Sequence, residues 1–424
     1  MANEIQIPLF DLILCLSEAM DLISPMLANH HKQVAYIAFS IAAELNLPIE
    51  QKNELLLSGA LHDSGALSLK ERLDTLQFEI ENPHQHAEMS YRLIKTFEPF
   101  SAIADIVRFH HVLWNYGNGV EFNGKPVTIG SHILHLADRI AVIINKQQEI
   151  LGQVKDIRAK IKGGSGKIFM PELVDAFRSL SSKEYFWFDI ISSPISPGFA
   201  RKAGINIIKL DITKVSDLSN LFLRIIDFRS RFTATHSTGV AAVATALARF
   251  MDFSETDCRM MKIAGHLHDL GKLAIATEIL DKPAQLTADE FNIVKSHPFH
   301  TYRILEPITD LDVINTWAAF HHERLDGSGY PFHYNNDNLP VGSRIMAIAD
   351  ILTAITEDRP YRKKMTRNEA LQVLREMVRN SALDSNAVST LILHYDEIES
   401  MRMAEQTVIF QENQKFWLNT SHYS

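Results

Sequence analysis

Along most of the chain, apolar residues recur at three- and four-residue intervals. Glu369-Ala370-Leu371-Gln372-Val373-Leu374-Arg375-Glu376-Met377-Val378 carries them at i, i+3, i+4 and i+7, one face of a helix. Val240 to Phe250 is rich in Ala and Val at helical spacing, and Arg344 to Ile355 is a third apolar helix. Few stretches alternate with period two. The pattern predicts an all-α protein.

The helical pattern is written twice. Gly59-Ala60-Leu61-His62-Asp63-Ser64-Gly65 is echoed by Gly265-His266-Leu267-His268-Asp269-Leu270-Gly271, and Ile129-Gly130-Ser131-His132-Ile133-Leu134-His135-Leu136-Ala137-Asp138 by Val341-Gly342-Ser343-Arg344-Ile345-Met346-Ala347-Ile348-Ala349-Asp350. His30 to His236, His62 to His268 and Asp63 to Asp269 are each 206 residues apart; His86 to His297 and His110 to His321 are 211, and Asp138 to Asp350 is 212. A constant order at so long a period indicates a duplicated domain rather than a solenoid. Ser192-Ser193-Pro194-Ile195-Ser196-Pro197-Gly198 has the punctuation of a linker. The expected layout is therefore two tandem helical bundles, 1–195 and 205–400, with 401–424 as a C-terminal extension.

Composition adds exclusions. A length of 424 residues suits two or three domains. The formal charge of −9 argues against general nucleic-acid binding, so DNA is not an expected partner. The apolar stretch Leu9 to Leu27 is broken by Asp11, Glu18 and Asp21, and the N-terminus lacks the basic region of a signal peptide, so no membrane span is expected. Cys15 and Cys258 cannot build a disulfide framework, which fits a reducing compartment. A cytoplasmic protein is expected. Histidine stands out at 19 residues, ten of which fall in the two matching series and so point to chemistry rather than chance.

In the second unit the series is His236, His268, Asp269, His297, His321, His322 and Asp350. Imidazoles with carboxylates suit Fe, Mn, Ni, Co or Zn better than Ca or Mg. One cation would take His236, His268, Asp269 and Asp350; a second would take Asp269, His297, His321 and His322, with Asp269 bridging. Two cations roughly 3.5–4 Å apart can activate a shared water and clamp the oxygens of an in-line displacement at phosphorus. A helix continuing past Asp269 would set Lys272 on the same face as His268 and Asp269, where its ammonium could hold a phosphate or a leaving oxygen.

Residues 205–400 resemble an HD-GYP domain, the branch of the HD phosphohydrolases that cleaves cyclic dinucleotides. The likeness rests on Thr235-His236-Ser237, on His268-Asp269-Leu270-Gly271-Lys272 and on His297. It continues through His321-His322-Glu323-Arg324-Leu325-Asp326-Gly327-Ser328-Gly329-Tyr330-Pro331, Arg344 to Asp350, and Arg359-Pro360-Tyr361-Arg362. The resemblance implies two tandem HD-type helical bundles and makes the seven His and Asp residues the metal ligands. It gives Asp269 and Lys272 the catalytic roles, and implies a metal-dependent phosphodiesterase acting on c-di-GMP or 3′3′-cGAMP. Three-metal members carry a Glu four residues before the first ligand His; here that position is Phe232, which implies two divalent transition-metal ions. Tyr330 lies in the loop the resemblance places beside the substrate and near partner contacts, such as a diguanylate cyclase or another signalling protein. Arg344, Arg359 and Arg362 are candidates for holding the dianionic substrate.

The first unit keeps His30, His62, Asp63, His86, His110, His111 and Asp138 in register, but Ala66 stands where the second unit has Lys272, and the GYP run is missing. It resembles a divergent HD domain, regulatory or structural, and its metal binding is left open. His31, His84, His132 and His135 match no ligand in the second unit and are read as ordinary histidines. The alternative function is a catalytically weak scaffold that binds cyclic dinucleotides or signalling proteins. A general nucleotide phosphohydrolase is disfavoured by the GYP signature.

Overall fold

The computed structural model describes residues 6–418 apart from 25, 67, 79–82, 193–194, 196–207, 229–234 and 359–362. It divides into two compact units: Leu9–Ile208, and Lys209–His422 together with Met1–Pro8. The described strands are only two-residue pairs, Ile7–Pro8 antiparallel to Lys209–Leu210 and Glu121–Phe122 antiparallel to Lys125–Pro126. The described elements that position the sites are otherwise helices and the loops that join them. No described helix is long and apolar enough to cross a membrane.

In the C-terminal unit the core is built around His236–Phe250, Glu255–Leu267 and Val341–Thr356, flanked by Ile212–Asp227, His297–Leu305, Asp312–Ala319, Arg367–Arg379, Ser385–Leu393 and Tyr395–Leu418. The three stretches read as helices from their periodicity all lie inside these elements. The capping box of Thr366 and Glu369 starts the Arg367–Arg379 helix, satisfying end amides that the helix itself cannot. The close crossing of the two central helices depends on Gly265: a Cβ there would stand 2.5 Å from Ala241 Cα. Tyr395–Leu418 is one continuous helix across residue 400, and its Gln406 donates to the Thr235 carbonyl (3.0 Å) and to Glu357 Oε1 (2.6 Å), bracing the start of the His236 helix.

The N-terminal unit repeats the plan with His30–Glu44, Ile49–Leu61 and Ile129–Ile143 at its centre, and with Leu9–Asp21, Leu69–Thr75, Pro83–Ile94 and Ser101–Arg108 around them. Gly59 plays the part of Gly265, its Cβ position again 2.5 Å from the Cα of an alanine, Ala35. The duplication is thus retained in the helix-to-helix contact that sets the spacing of the core.

Candidate metal centre

The Glu255–Leu267 helix ends at the pair that carries the chemistry. His268 caps the helix with angles that are still helical, and Asp269 (φ −96°, ψ 11°) turns the chain into a 3₁₀ segment, Leu270–Ala274. The α-helix therefore does not run on through Lys272. The ammonium still returns to Asp269, with Nζ 2.6 Å from Oδ2, because a 3₁₀ turn brings i and i+3 onto one line. Thr301 locks this turn to the next helix: its hydroxyl accepts from Gly271 N (2.9 Å) and donates to the His268 carbonyl (3.0 Å).

All seven His and Asp residues of the series converge. Asp269 faces two ways: Oδ2 is 3.2 Å from His268 Nε2, and Oδ1 is 3.3 Å from His297 Nε2. On the first side, His236 Nε2 is 3.2 Å from Asp350 Oδ1. On the second, His297 Nε2 and His321 Nε2 are 3.1 Å apart, with His322 in the same group. His322 Nδ1 also lies 3.8 Å from Asp350 Oδ2. Neighbouring ligands held about 2.0–2.1 Å from one cation stand about 2.8–3.4 Å apart in octahedral or tetrahedral geometry, so the separations of 3.1–3.3 Å fit cations shared between them.

The remaining ring nitrogens are fixed from behind. His268, His297 and His321 donate Nδ1–H to the carbonyls of Gly265 (2.8 Å), Val294 (2.7 Å) and Ala318 (2.6 Å), which turns each Nε2 lone pair inward. His236 instead has a carboxylate behind it, Glu357 Oε2 at 3.0 Å from Nδ1. Burial pulls His297 down to about 3 and His322 to about 4, and with the charge of His322 keeps His321 well below the ordinary imidazole value. Burial also opposes ionisation of Asp269 and Asp350, but His268 and Lys272 hold the first well below the usual carboxylate range, and His236 and His322 the second. His236 rises to about 10 against its burial because Asp350 and Glu357 face it. The neutral imidazoles of His297, His321 and His322 beside ionised carboxylates suit a transition-metal cation, and His236 gives up its proton when such a cation binds.

The HD-domain family model matches residues 220–387, and a second HD-domain model matches residues 27–143. The chain carries two HD domains. It is similar over 410 residues, at 28% identity, to the 3′3′-cGAMP-specific phosphodiesterase 1 of Vibrio cholerae, covering 92% of this chain and 93% of that protein. It is also similar, at 38% identity over 146 residues, to a cyclic di-GMP phosphodiesterase of Pseudomonas aeruginosa, a match of 34% of this chain and 35% of the relative. Among solved structures, a cyclic GMP-AMP phosphodiesterase of V. cholerae superposes with a TM-score of 0.64 at 22% identity, covering 92% of this chain and 98% of that one. That likeness shows the fold.

Within the C-terminal HD domain, the loop after His321-His322 is organised by Glu323. Its fully buried carboxylate accepts from Phe332 N (2.7 Å) and Tyr334 N (3.0 Å), and Phe332 and Tyr334 pack with Phe320 and Tyr302. Gly329 is required because a Cβ would stand 2.4 Å from Glu323 Cα. The loop lays the Tyr330 ring 4.8 Å from that of His322, so Tyr330 reaches the centre. The Arg344 side chain is engaged within the chain. Its guanidinium bonds the Leu339 carbonyl (2.8 Å), the Asn336 carbonyl (2.8 Å) and Asp384 (3.0 Å), pinning the end of the loop. Six helical residues separate it from Asp350, about 600° of rotation, which leaves the two on different faces. Arg359, Arg362 and Phe232 lie outside the described residues.

Three neighbours were missed from the sequence. Glu357 falls seven residues after Asp350, two turns along the same face, a spacing that could have drawn attention to it. Arg324 sits in the field of Asp350 and Tyr330, its charge disfavoured chiefly by burial. Asp227 is buried under Ser237, whose hydroxyl donates to Oδ1 at 2.8 Å. Of the histidines set aside in the first unit, His31 is paired with Asp21, His132 Nε2 donates to the Gly119 carbonyl (3.1 Å), His84 packs on Phe122, and His135 packs on Phe169.

Proposed function

We propose that the C-terminal HD domain is a metal-dependent phosphodiesterase that opens a 3′,5′-cyclic dinucleotide by hydrolysing one of its phosphodiester bonds. The observation that carries this is Asp269, whose two oxygens are divided between two groups of histidines. We assign His236, His268, Asp269 and Asp350 to one cation and Asp269, His297, His321 and His322 to a second. When bound, such a pair lowers the pKa of water and withdraws charge from phosphate oxygens.

The chain's own residues do the rest. Glu357 and the three backbone carbonyls hold the imidazoles in one tautomer and one orientation. Lys272, one-fifth exposed, keeps its ammonium on Asp269 and presents the remaining protons outward, where a phosphate oxygen arrives. Arg324 and Tyr330 border the same opening. Water's oxygen forms the new bond to phosphorus, and the ribose oxygen leaves with a proton, giving a linear dinucleotide with a terminal phosphate. A second hydrolysis would give mononucleotides.

The tandem layout favours 3′3′-cGAMP, because the cGAMP-specific relative matches nearly end to end whereas the cyclic di-GMP relative matches about a third of the chain. We place this chemistry in the cytoplasm. We place contact with a partner such as a diguanylate cyclase on the exposed side of the loop, at Asp326 and Ser328.

The test is to incubate protein of measured metal content with 3′3′-cGAMP, c-di-GMP and c-di-AMP and to identify the products by chromatography. Turnover of 3′3′-cGAMP is expected, falling about 100-fold in Lys272→Ala at unchanged metal content. No turnover of any of the three by fully loaded protein would leave the scaffold reading in its place.

A further inference from the structure

The loop after His321-His322 carries a cation to which the proposed hydrolysis gives no task. Arg324 is largely buried, and the backbone around it is fixed. Leu325 N donates to the Ala382 carbonyl (3.1 Å) and Gly327 N to the Arg324 carbonyl (3.0 Å). Gly329 folds back so closely that a Cβ there would stand 2.4 Å from Arg324 N. Tyr330 N donates to the His322 carbonyl (3.2 Å), closing the turn. His322 and Tyr330, whose rings are 4.8 Å apart, both lie in the field of the Arg324 guanidinium, so the three side chains share one edge of the metal centre.

That guanidinium is under-used. Among the described residues its one hydrogen bond runs from Nη1 to the carbonyl of the adjacent Glu323, at 3.2 Å, and no carboxylate stands within ion-pair distance. Other arginines withdrawn from solvent are each matched to a carboxylate: Arg139 to Asp138, Arg344 to Asp384 and Arg402 to Glu399. Asp350 and Tyr330 act on Arg324 only from farther away. A guanidinium presents its N–H donors in a fixed fork that fits an oxyanion. A buried charge without a partner is costly, and here most of the donors are left over for an anion that enters from the opening.

Position decides which anion. Lys272 holds the Asp269 side, Nζ to Oδ2 at 2.6 Å, whereas Arg324 faces the Asp350 side, and His322 lies in the field of both cations. The two phosphates of a cyclic dinucleotide stand on opposite sides of its sugar–phosphate ring. When one lies over the ligand set beside Lys272, the other is carried away from it. Resting on the hydrolase reading of this site, we infer that Arg324 grips the uncleaved phosphate of the cyclic dinucleotide and thereby sets the phosphodiester to be cleaved over the ligand set. The first unit fits this division of labour. Two residues after His111, where the second unit has Arg324, stands the exposed Leu113, so that unit lacks both the Lys272 and the Arg324 cation.

The experiment assays the full chain, loaded with Mn²⁺, on 3′3′-cGAMP and on bis(p-nitrophenyl) phosphate, whose single phosphate is the one cleaved. Arg324→Ala should lower kcat/KM for 3′3′-cGAMP by about 10–100-fold, chiefly through KM and at unchanged Mn²⁺ content. The loss should exceed that on the nitrophenyl ester by about tenfold or more. Arg324→Lys should recover only part of it, since an ammonium cannot form the fork, and it decides alone should the alanine variant fail to fold. Equilibrium dialysis of 3′3′-cGAMP against Lys272→Ala protein, with and without Arg324→Ala, reads the same contact as a Kd with little turnover. A KM and Kd within about threefold of the parent, or equal losses on both esters, overturn the inference and leave the hydrolase reading standing. Wild-type protein that binds 3′3′-cGAMP but turns over neither ester overturns the hydrolase reading, whereas loss of that binding in Arg324→Ala still upholds the phosphate contact.

Discussion

Gly271→Ala tests the geometry of the C-terminal centre without touching a metal-facing atom. A Cβ at Gly271 would lie 2.0 Å from the His297 carbonyl oxygen, 2.9 Å from its carbonyl carbon and 2.8 Å from Thr301 N. Real Cβ contacts do not fall below 3.0 Å, so the turn bearing His268 and Asp269 must part from the helix bearing His297 by about 1 Å. Metal sites tolerate ligand errors of about 0.2 Å, and the separation required is several times that. It opens the gap between Asp269 Oδ1 and His297 Nε2, now 3.3 Å, and strains the Thr301 hydroxyl that ties the two segments together. A misplacement of that size costs on the order of 100-fold in rate, and the backbone clash about 1–3 kcal/mol of stability. Mn²⁺ content, initial rates on 3′3′-cGAMP and thermal melting measure all three. Gly163→Ala is the control, since no atom lies within 4 Å of its Cβ position, and it should leave all three unchanged. If Gly271→Ala keeps full metal content and a rate within threefold of wild type, the close-packed turn is not what sets the ligand spacing, and the reasoning fails.

Other consequences are as direct. Glu357→Gln removes the anion behind His236 and should weaken Mn²⁺ binding by about 10–100-fold in a competition titration; an unchanged affinity would show that Glu357 does not support the ligand. Arg344→Ala should lower the melting temperature by several degrees through loss of its bonds to the Leu339 and Asn336 carbonyls and to Asp384, with KM moving less than about twofold; a tenfold rise in KM at unchanged stability would give it a substrate role. Burial first, and then Glu18 and Asp11, push the Cys15 thiol up to about 12. At pH 8 only about one molecule in 10⁴ is thiolate, so native protein should resist iodoacetamide at Cys15 and react once denatured. Modification of the folded protein, read by peptide mass spectrometry, would contradict the burial of the first helix.

The chain's pattern alone specified the helices, the duplication and both series of histidines and aspartates, because those depend on local periodicity and on residue types at fixed order. The HD pair is legible since the same helix that buries Cys258, Met261 and Ile263 must end where His268 and Asp269 leave it. What surrounds each series was decided by packing between distant segments. Glu357 stands behind His236 across 121 residues of sequence, and Arg344 is drawn away to Asp384 across 40. Lys272 reaches Asp269 through a 3₁₀ turn that the apolar spacing did not distinguish from a continuing helix. No sequence pattern marks Arg72 and Arg139, yet both are buried beside Ala66 and Asp138. Metal-facing atoms are named by their chemistry, whereas the groups that orient, neutralise or seal them are chosen by which helices meet, and a one-dimensional pattern carries no record of that meeting.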